Sequence, residues 1–241
     1  MNKNIILVAI IVAVCASFVS CISITNIAKR GCGNIVSSER TVSAFEEINV
    51  GSSAAVRFHV GDEFRVVVSI DENLYEYVET VTRSNTLRIG TTRRDSFSPT
   101  QFVVDVYAPT LSGVTVSGAG RFENTETLIV PNFEINVSGA GRITSAVESD
   151  SFTATISGSG RITAFGSSQN VVIRISGSGR FLGSEFITNN TTAHISGSGN
   201  AELYVIDNLN ATVSGSGRIR YQGNPRVDSR VTGSGRIRRV D

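Results

Sequence analysis

Along residues 111–240 apolar and polar positions alternate with a period of two, and each run of alternation ends at a Gly-x-Gly. The first glycines of these motifs are Gly118, Gly139, Gly158, Gly177, Gly197, Gly215 and Gly233, 18 to 21 residues apart. Two residues before each stands Val116, Val137, Ile156, Ile175, Ile195, Val213 or Val231, and four before stands Val114, Ile135, Ala154, Ile173, Ala193, Ala211 or Ser229. In the later copies Phe133, Phe152, Val171, Thr191, Leu209 and Val227 lie six before. This pattern predicts a strand with one buried face that stops at the glycine. Past the motif Phe122, Ile143, Ile162, Phe181, Ala201, Ile219 and Ile237 open a second short strand.

One such copy cannot bury its apolar face alone, whereas stacked copies bury a continuous column, so the repeat predicts a coil of a solenoid. The expected fold is all-β: a right-handed parallel β-helix of about seven rungs, each of two to three short strands, stacked about 4.8 Å apart, with a β-rich N-terminal cap. A β-propeller would need about 40 residues per blade. The expected boundaries are a signal peptide over 1–20, a tether over 21–40 and one domain over 41–240, with the cap at 41–110 and the repeats at 111–240. Within the cap, "FEEINVGSSAAVRFHVG", "FRVVVSI" and "NTLRIGT" alternate between turn signals. Ile48, Val50, Val56 and Phe58 fit an opening rung, and "DENLYEYVETV" is the one stretch that predicts a helical turn.

The N-terminus, "MNKNIILVAIIVAVCASFVSC", has the basic start and apolar run of a secretory signal. Phe18 is a poor third residue before an ordinary cleavage site, while Cys21 after Ser20 fits a lipoprotein signal in which Cys21 carries the lipid. A simple secreted protein and an uncleaved anchor over residues 5–24 are the alternatives. With Cys15 inside the signal, Cys32 in "RGCGN" has no partner for a disulfide within the domain. It either pairs between chains or is a linker thiol.

The opening Phe45-x-x-Ile48-x-Val50, the Asp71-Glu72-Asn73-Leu74 stretch and the Gly-x-Gly ladder together resemble, over residues 41–235, a bacterial cell-envelope family. That family is called putative auto-transporter adhesin, head GIN domain. The resemblance implies an exported β-solenoid domain, with adhesion suggested by the family's name.

Charge adds little until its distribution is followed. Lys+Arg total 22 against 21 Asp+Glu, a balance that implies no nucleic-acid partner. Apart from Lys3 and Lys29, however, every basic residue is arginine, and six arginines recur directly after the Gly-x-Gly: Arg121, Arg142, Arg161, Arg180, Arg218 and Arg236, with Asn200 in the remaining copy. If the rungs stack in register, these line one edge. Exposed, they suit carboxylates, sulfates or phosphates of an acidic polysaccharide or lipopolysaccharide. The structural alternative has them stacked over the corner and paired with Glu123, Glu148, Glu185 and Glu202.

The glycines themselves match neither a P-loop nor a dinucleotide fingerprint, and the aspartate of Ca²⁺-binding repeats is missing. They predict structural corners. Serines before and between the glycines form columns expected to hydrogen-bond from rung to rung or to satisfy backbone groups at the corner. An outward ladder of Thr115, Asn136, Thr155, Arg174, His194, Thr212 and Arg230 is too mixed for an ice-binding array. His59 and His194 are the only imidazoles and share no motif with an acid and a serine, so neither catalytic residue nor metal site is expected, and no cofactor. The expected function is a non-catalytic envelope lipoprotein for adhesion or scaffolding. The alternatives are a lyase-like enzyme acting on acidic polysaccharide, and a purely structural spacer. The expected partners are the membrane through the N-terminal lipid, a glycan or an envelope protein, and a second copy stacked end to end on the last rung.

Overall fold

The computed structural model describes residues 29–92, 97–124 and 126–240. The signal segment and Cys21 lie outside the described residues. The chain runs β1 (Lys29–Arg30), β2 (Ile35–Arg40), β3 (Glu47–Val50), β4 (Ala55–Val60), β5 (Arg65–Asp71), a 3₁₀ turn (Glu72–Tyr77), β6 (Val78–Arg83), β7 (Thr86–Thr91), β8 (Phe97–Ser98) and β9 (Phe102–Ala108). The repeats follow as β10 (Gly113–Val116), β11 (Arg121–Asn124), β12 (Leu128–Gly139), β13 (Arg142–Gly158), β14 (Arg161–Gly177), β15 (Arg180–Gly197), β16 (Asn200–Gly215), β17 (Arg218–Gln222), β18 (Arg226–Thr232) and β19 (Arg236–Arg239).

From β10 to β19 each rung pairs in parallel with the next, one repeat against another: Ile143 lies opposite Ile162, Ile156 opposite Ile175, and Gly158 opposite Gly177. The solenoid expectation therefore holds. In the middle rungs, however, the separate short strands are fused. Each of β13 to β16 runs unbroken from the residue after one corner to the first glycine of the next. The rung bends where the alternation changes phase, from buried Ile143, Ser145 and Val147 to buried Phe152, Ala154 and Ile156. The apolar interior is one column, in which Phe152 stacks at 4.8 Å on Phe186 and 6.2 Å from Phe133. Each such fully buried side chain contributes about 1.5–3 kcal/mol.

The two glycines of a corner do different work. Gly177 has φ +111, a conformation most side chains avoid, and a Cβ there would stand 2.7 Å from the carbonyl oxygen of Gly158 on the rung before. At Gly179 a Cβ would stand 2.4 Å from Cγ2 of Ile156 in the preceding rung's core. Both glycine carbonyls accept from the next rung: the Ser178 N–H donates to Gly158 at 2.9 Å and the Arg180 N–H to Gly160 at 3.0 Å. Among the described residues the column serines do not bond one another, and at the first corner the Ser117 hydroxyl donates to the Val50 backbone carbonyl at 3.5 Å. The column serines lie in register, but the backbone joins the rungs, leaving those side chains exposed. A side-chain ladder does form elsewhere, where Asn208 donates to Asn190 at 2.8 Å and Asn190 to Asn170 at 3.3 Å.

The cap continues both ladders. Ile48 and Val50 of β3 stack on Val114 and Val116, and Val56 of β4 on Phe122, so residues 47–60 form the expected opening rung. Beyond them β7 and β9 add one more parallel layer, after which antiparallel β6, β5 and β2 close the end. The expected tether is thus docked from residue 29 onward: β1 pairs with β8, and β2 pairs along its whole length with β5. The stretch 71–73 holds it there. Buried Asp71 accepts from the N–H of Gly33 and of Thr100, both at 2.7 Å, Glu72 accepts from Asn34, and Asn73 bridges the Arg30 carbonyl and the Cys32 N–H. A side chain at Gly31 would overlap the Asp71 carboxylate. The expected helical turn is the 3₁₀ turn that begins in this clip.

Burial pushes the Asp71 carboxyl up, but the backbone N–H groups of Gly33, Thr100 and Gln101 and the Thr100 hydroxyl outweigh it and hold the carboxyl below its ordinary value. A group lowered on folding stabilises the fold above its ordinary pKa, and that contribution is lost as the pH falls through the folded value.

Two outcomes follow. Gly179→Ala is expected to cost roughly 1–3 kcal/mol through overpacking, whereas Ser178→Ala between the same glycines stays within about 0.5 kcal/mol. Chemical denaturation of both variants compares them, and equal stability would exclude the packing role given to the second glycine. Asp71→Asn is expected to lower Tm near neutral pH, with the gap to wild type closing as the pH falls below about 4, the ordinary aspartate range. Thermal melts across that range read it, and a gap independent of pH would remove the ionised clip.

Candidate functional site

Parallel stacking in register turns each sequence column into a spatial one. Immediately past the corner, Arg121 lies opposite Arg142, Arg142 opposite Arg161, and Arg161 opposite Arg180. The line continues through Asn200 to Arg218 and Arg236. Five of the six arginines are exposed and Arg161 is half-buried. The corner fixes the line, since the N–H of each of these residues from Arg142 onward donates at 3.0 Å to the second glycine of the preceding rung.

The carboxylates expected to neutralise this column are engaged or distant. Two residues further along the strand, a parallel column pairs within itself: Arg57 meets Glu123 at 3.4 Å, and Arg220 binds Glu202. Glu148 and Glu185 sit on the far stretch of their rungs, opposite Ser167 and Phe165. Among the described residues none of the six column arginines has a carboxylate within 4.0 Å. Like charges one rung apart repel by on the order of 1 kcal/mol per pair in water, and by several times that at a lower effective dielectric. The column is therefore a standing excess of positive charge, eased by solvent and by any anion that docks on it.

Near its C-terminal end the column widens into a groove of about 1010 Å³ lined by Arg180, Asn200, Glu202, Arg218, Arg220 and Arg238, among others. Sequence reasoning singled out Arg218 and Arg236 here but missed Arg220 and Arg238, which lie opposite each other on the same outward face. Their signal was present as an Arg-x-Arg at 218–220 repeated at 236–238. On the other side of the corner a shallower groove of about 430 Å³ is lined by Arg174, His194, Ser176, Ser196, Thr212 and Ser214, among others. Here the outward ladder that looked too mixed in sequence brings a guanidinium and an imidazole into register on adjacent rungs, in a groove also lined by Ile156, Ile175 and Ile195.

The remaining candidates stay apart. His59 stacks on Tyr107 at 4.8 Å with its Nε2 3.4 Å from Asp105, in the cap and away from His194. Arg65 covers the same Tyr107 ring at 3.9 Å. No group of three or more His, Cys, Asp and Glu suited to a metal forms among the described residues, where Cys32 is exposed and free.

Known structures share this architecture. A putative lipid binding protein from Parabacteroides distasonis ATCC 8503 is 24% identical with a TM-score of 0.76, the match covering 89% of this chain and 100% of that one. A putative adhesin from Bacteroides fragilis NCTC 9343 is 19% identical with a TM-score of 0.82, covering 88% and 100%. A further putative adhesin from Parabacteroides distasonis ATCC 8503 is 26% identical with a TM-score of 0.70, covering 88% and 99%. No curated protein matches the chain. The family model described as putative auto-transporter adhesin, head GIN domain, matches residues 44–225, from the opening rung of the cap through the sixth Gly-x-Gly corner, and the chain belongs to that family.

Proposed function

We propose that this protein is a non-catalytic adhesion module of the bacterial cell envelope, lipid-anchored through Cys21, whose arginine column holds the carboxylates of an acidic surface glycan. One observation carries this reading: six arginines stand in register on one edge with no carboxylate partner among the described residues. A polymer that presents one carboxylate per sugar meets one guanidinium fork per rung, and each such charge-assisted contact is bidentate in geometry. Many weak contacts along one rigid edge add as a multivalent attachment, which suits adhesion better than turnover. The adhesin name of the family and of similar structures agrees with this reading. The non-catalytic reading rests on the adhesin description of the family and of similar structures.

The triple variant Arg121→Ser/Arg142→Ser/Arg161→Ser is expected to bind polygalacturonate at least about tenfold more weakly than wild type, and wild-type binding is expected to weaken steeply with salt. Surface plasmon resonance on immobilised polygalacturonate, alginate and dextran reads both. Binding to neutral dextran as strong as to the acidic polymers, or indifference to the triple substitution, would remove the column from the function. Release of unsaturated oligosaccharides would favour the enzyme instead. For the anchor, Cys21→Ala is expected to abolish incorporation of a clickable fatty acid and to release the protein from the membrane fraction; unchanged incorporation would exclude Cys21.

A further inference from the structure

The groove at the end of the column differs from the column itself. Along most of its length each rung offers one arginine without a carboxylate partner among the described residues, flanked two residues on by Thr144, Thr163 or Leu182. On the last two rungs both positions are arginine: Arg218 and Arg220 on β17 lie opposite Arg236 and Arg238 on β19. Neighbouring rungs are about 4.8 Å apart and alternate residues of a strand about 6.7 Å apart, so the four Cα positions form a rectangle whose centre is about 4 Å from each corner. All four residues are exposed, so Arg218, Arg236 and Arg238 can turn their long side chains over that centre, while Arg220 is drawn toward Glu202 on the rung before. Arg239, next in sequence, is turned away to Asn224 at 3.2 Å.

We infer that this four-arginine array binds the terminal phosphoryl group of a phosphorylated sugar. The inference rests on the proposed glycan-binding role of the same edge and names a second ligand chemistry at its end. A carboxylate is satisfied by a single guanidinium fork, and the column offers one per rung. A phosphate monoester carries close to two negative charges at neutral pH and three acceptor oxygens that point in different directions. It needs several donors around it, which the single column lacks and the array supplies. Four cations this close with one carboxylate, Glu202, beside them are also the most self-repelling part of the edge, and a dianion relieves the repulsion most.

The rung beside the array selects the rest of the ligand. There the two outward positions are Asn200 and Glu202, next to Arg218 and Arg220 respectively. Glu202 binds Arg220 and so fixes one corner of the array. The Asn200 side chain makes no hydrogen bond among the described residues and offers a neutral amide one rung from the phosphoryl position. A sugar ring held by its phosphate would lay its hydroxyls on these two residues. A lipid phosphate would instead lay acyl chains on Leu182, Val231 and Ile237 of the same groove, and sedimentation with vesicles separates that source of the phosphoryl group from a sugar.

Calorimetric titration of the wild-type protein with glucose 6-phosphate, glucose, inorganic phosphate and polygalacturonate tests this. Glucose 6-phosphate is expected to bind and glucose not to. Arg220→Ser/Arg238→Ser is expected to weaken glucose 6-phosphate by at least about tenfold while leaving polygalacturonate within about twofold. Arg220→Lys/Arg238→Lys, which keeps the charge and loses the fork, should fall between the two. Asn200→Ala is expected to weaken glucose 6-phosphate but not inorganic phosphate. Polygalacturonate binding without glucose 6-phosphate binding overturns this inference alone, whereas binding of neither ligand overturns the proposed function with it. Glucose 6-phosphate binding that ignores the double serine variant places the phosphoryl group elsewhere and overturns the array. Sedimentation with phosphatidylcholine vesicles containing phosphatidic acid, without glucose 6-phosphate binding, overturns the sugar in favour of a lipid headgroup.

Discussion

At each corner from Gly139 to Gly233 a carbonyl oxygen of the preceding rung's first glycine lies only 2.6 to 2.9 Å from where a Cβ would stand. That approach is what lets backbone hydrogen bonds run through the corner, and the rest of the molecule depends on it. If the corner were held apart by a side chain, the Ser178 and Arg180 N–H groups would lose their acceptors, and the strands on both sides would be forced off the spacing at which their ladders bond. The second glycine applies the same limit from inside, because the space its side chain would need is filled by a core Val or Ile of the rung before. Gly118 marks the boundary of this rule. It faces Ser52 in the cap, the nearest backbone oxygen is 3.1 Å away, and its φ is not in the left-handed region, since the opening rung turns its corner without a Gly-x-Gly.

Much of this was legible in the sequence because stacking in register maps residue columns directly onto spatial columns. The alternation through Val137, Ile156 and Ile175 located the core, and the 18–21-residue spacing located the rungs. What escaped was whatever depends on contacts between unlike segments. Nothing periodic announces that Asp71 accepts hydrogen bonds from Gly33 and Thr100, so residues 29–40 read as a tether although they are a docked part of the cap. The serine columns join no rungs through their own hydroxyls for the converse reason: their regularity in sequence is real, but past the first corner, where Ser117 reaches the Val50 carbonyl, the backbone groups meet each other first.

The candidate site follows the same division. The arginine column was visible as a column, and its in-register geometry is the direct result of the corner. That none of its arginines meets a carboxylate among the described residues was not visible, because it turns on which residue each glutamate meets. Glu123 and Glu202 are only two positions along the strand from Arg121 and Asn200, near enough in sequence to suggest pairing across the column. Alternate residues on a strand are about 6.7 Å apart, while neighbours in register on adjacent rungs are about 4.8 Å apart. A glutamate therefore reaches the arginine directly above or below it before the one beside it, as Glu123 does with Arg57 and Glu202 with Arg220.

A parallel solenoid thus sorts charge by column rather than by neighbourhood in sequence. A column of mixed sign neutralises itself through its own rungs, and a column of one sign cannot. The fold tolerates such a column because it lies at the surface, where solvent screens it, and because arginine's long stem spreads the charged groups beyond the backbone spacing. The repulsion that remains is distributed evenly along a rigid edge, so a flexible polyanion laid along it gains from each rung in turn, without the protein having to rearrange. Rigidity, repetition and uncompensated charge all come from one local feature, a pair of glycines that lets identical residues stack.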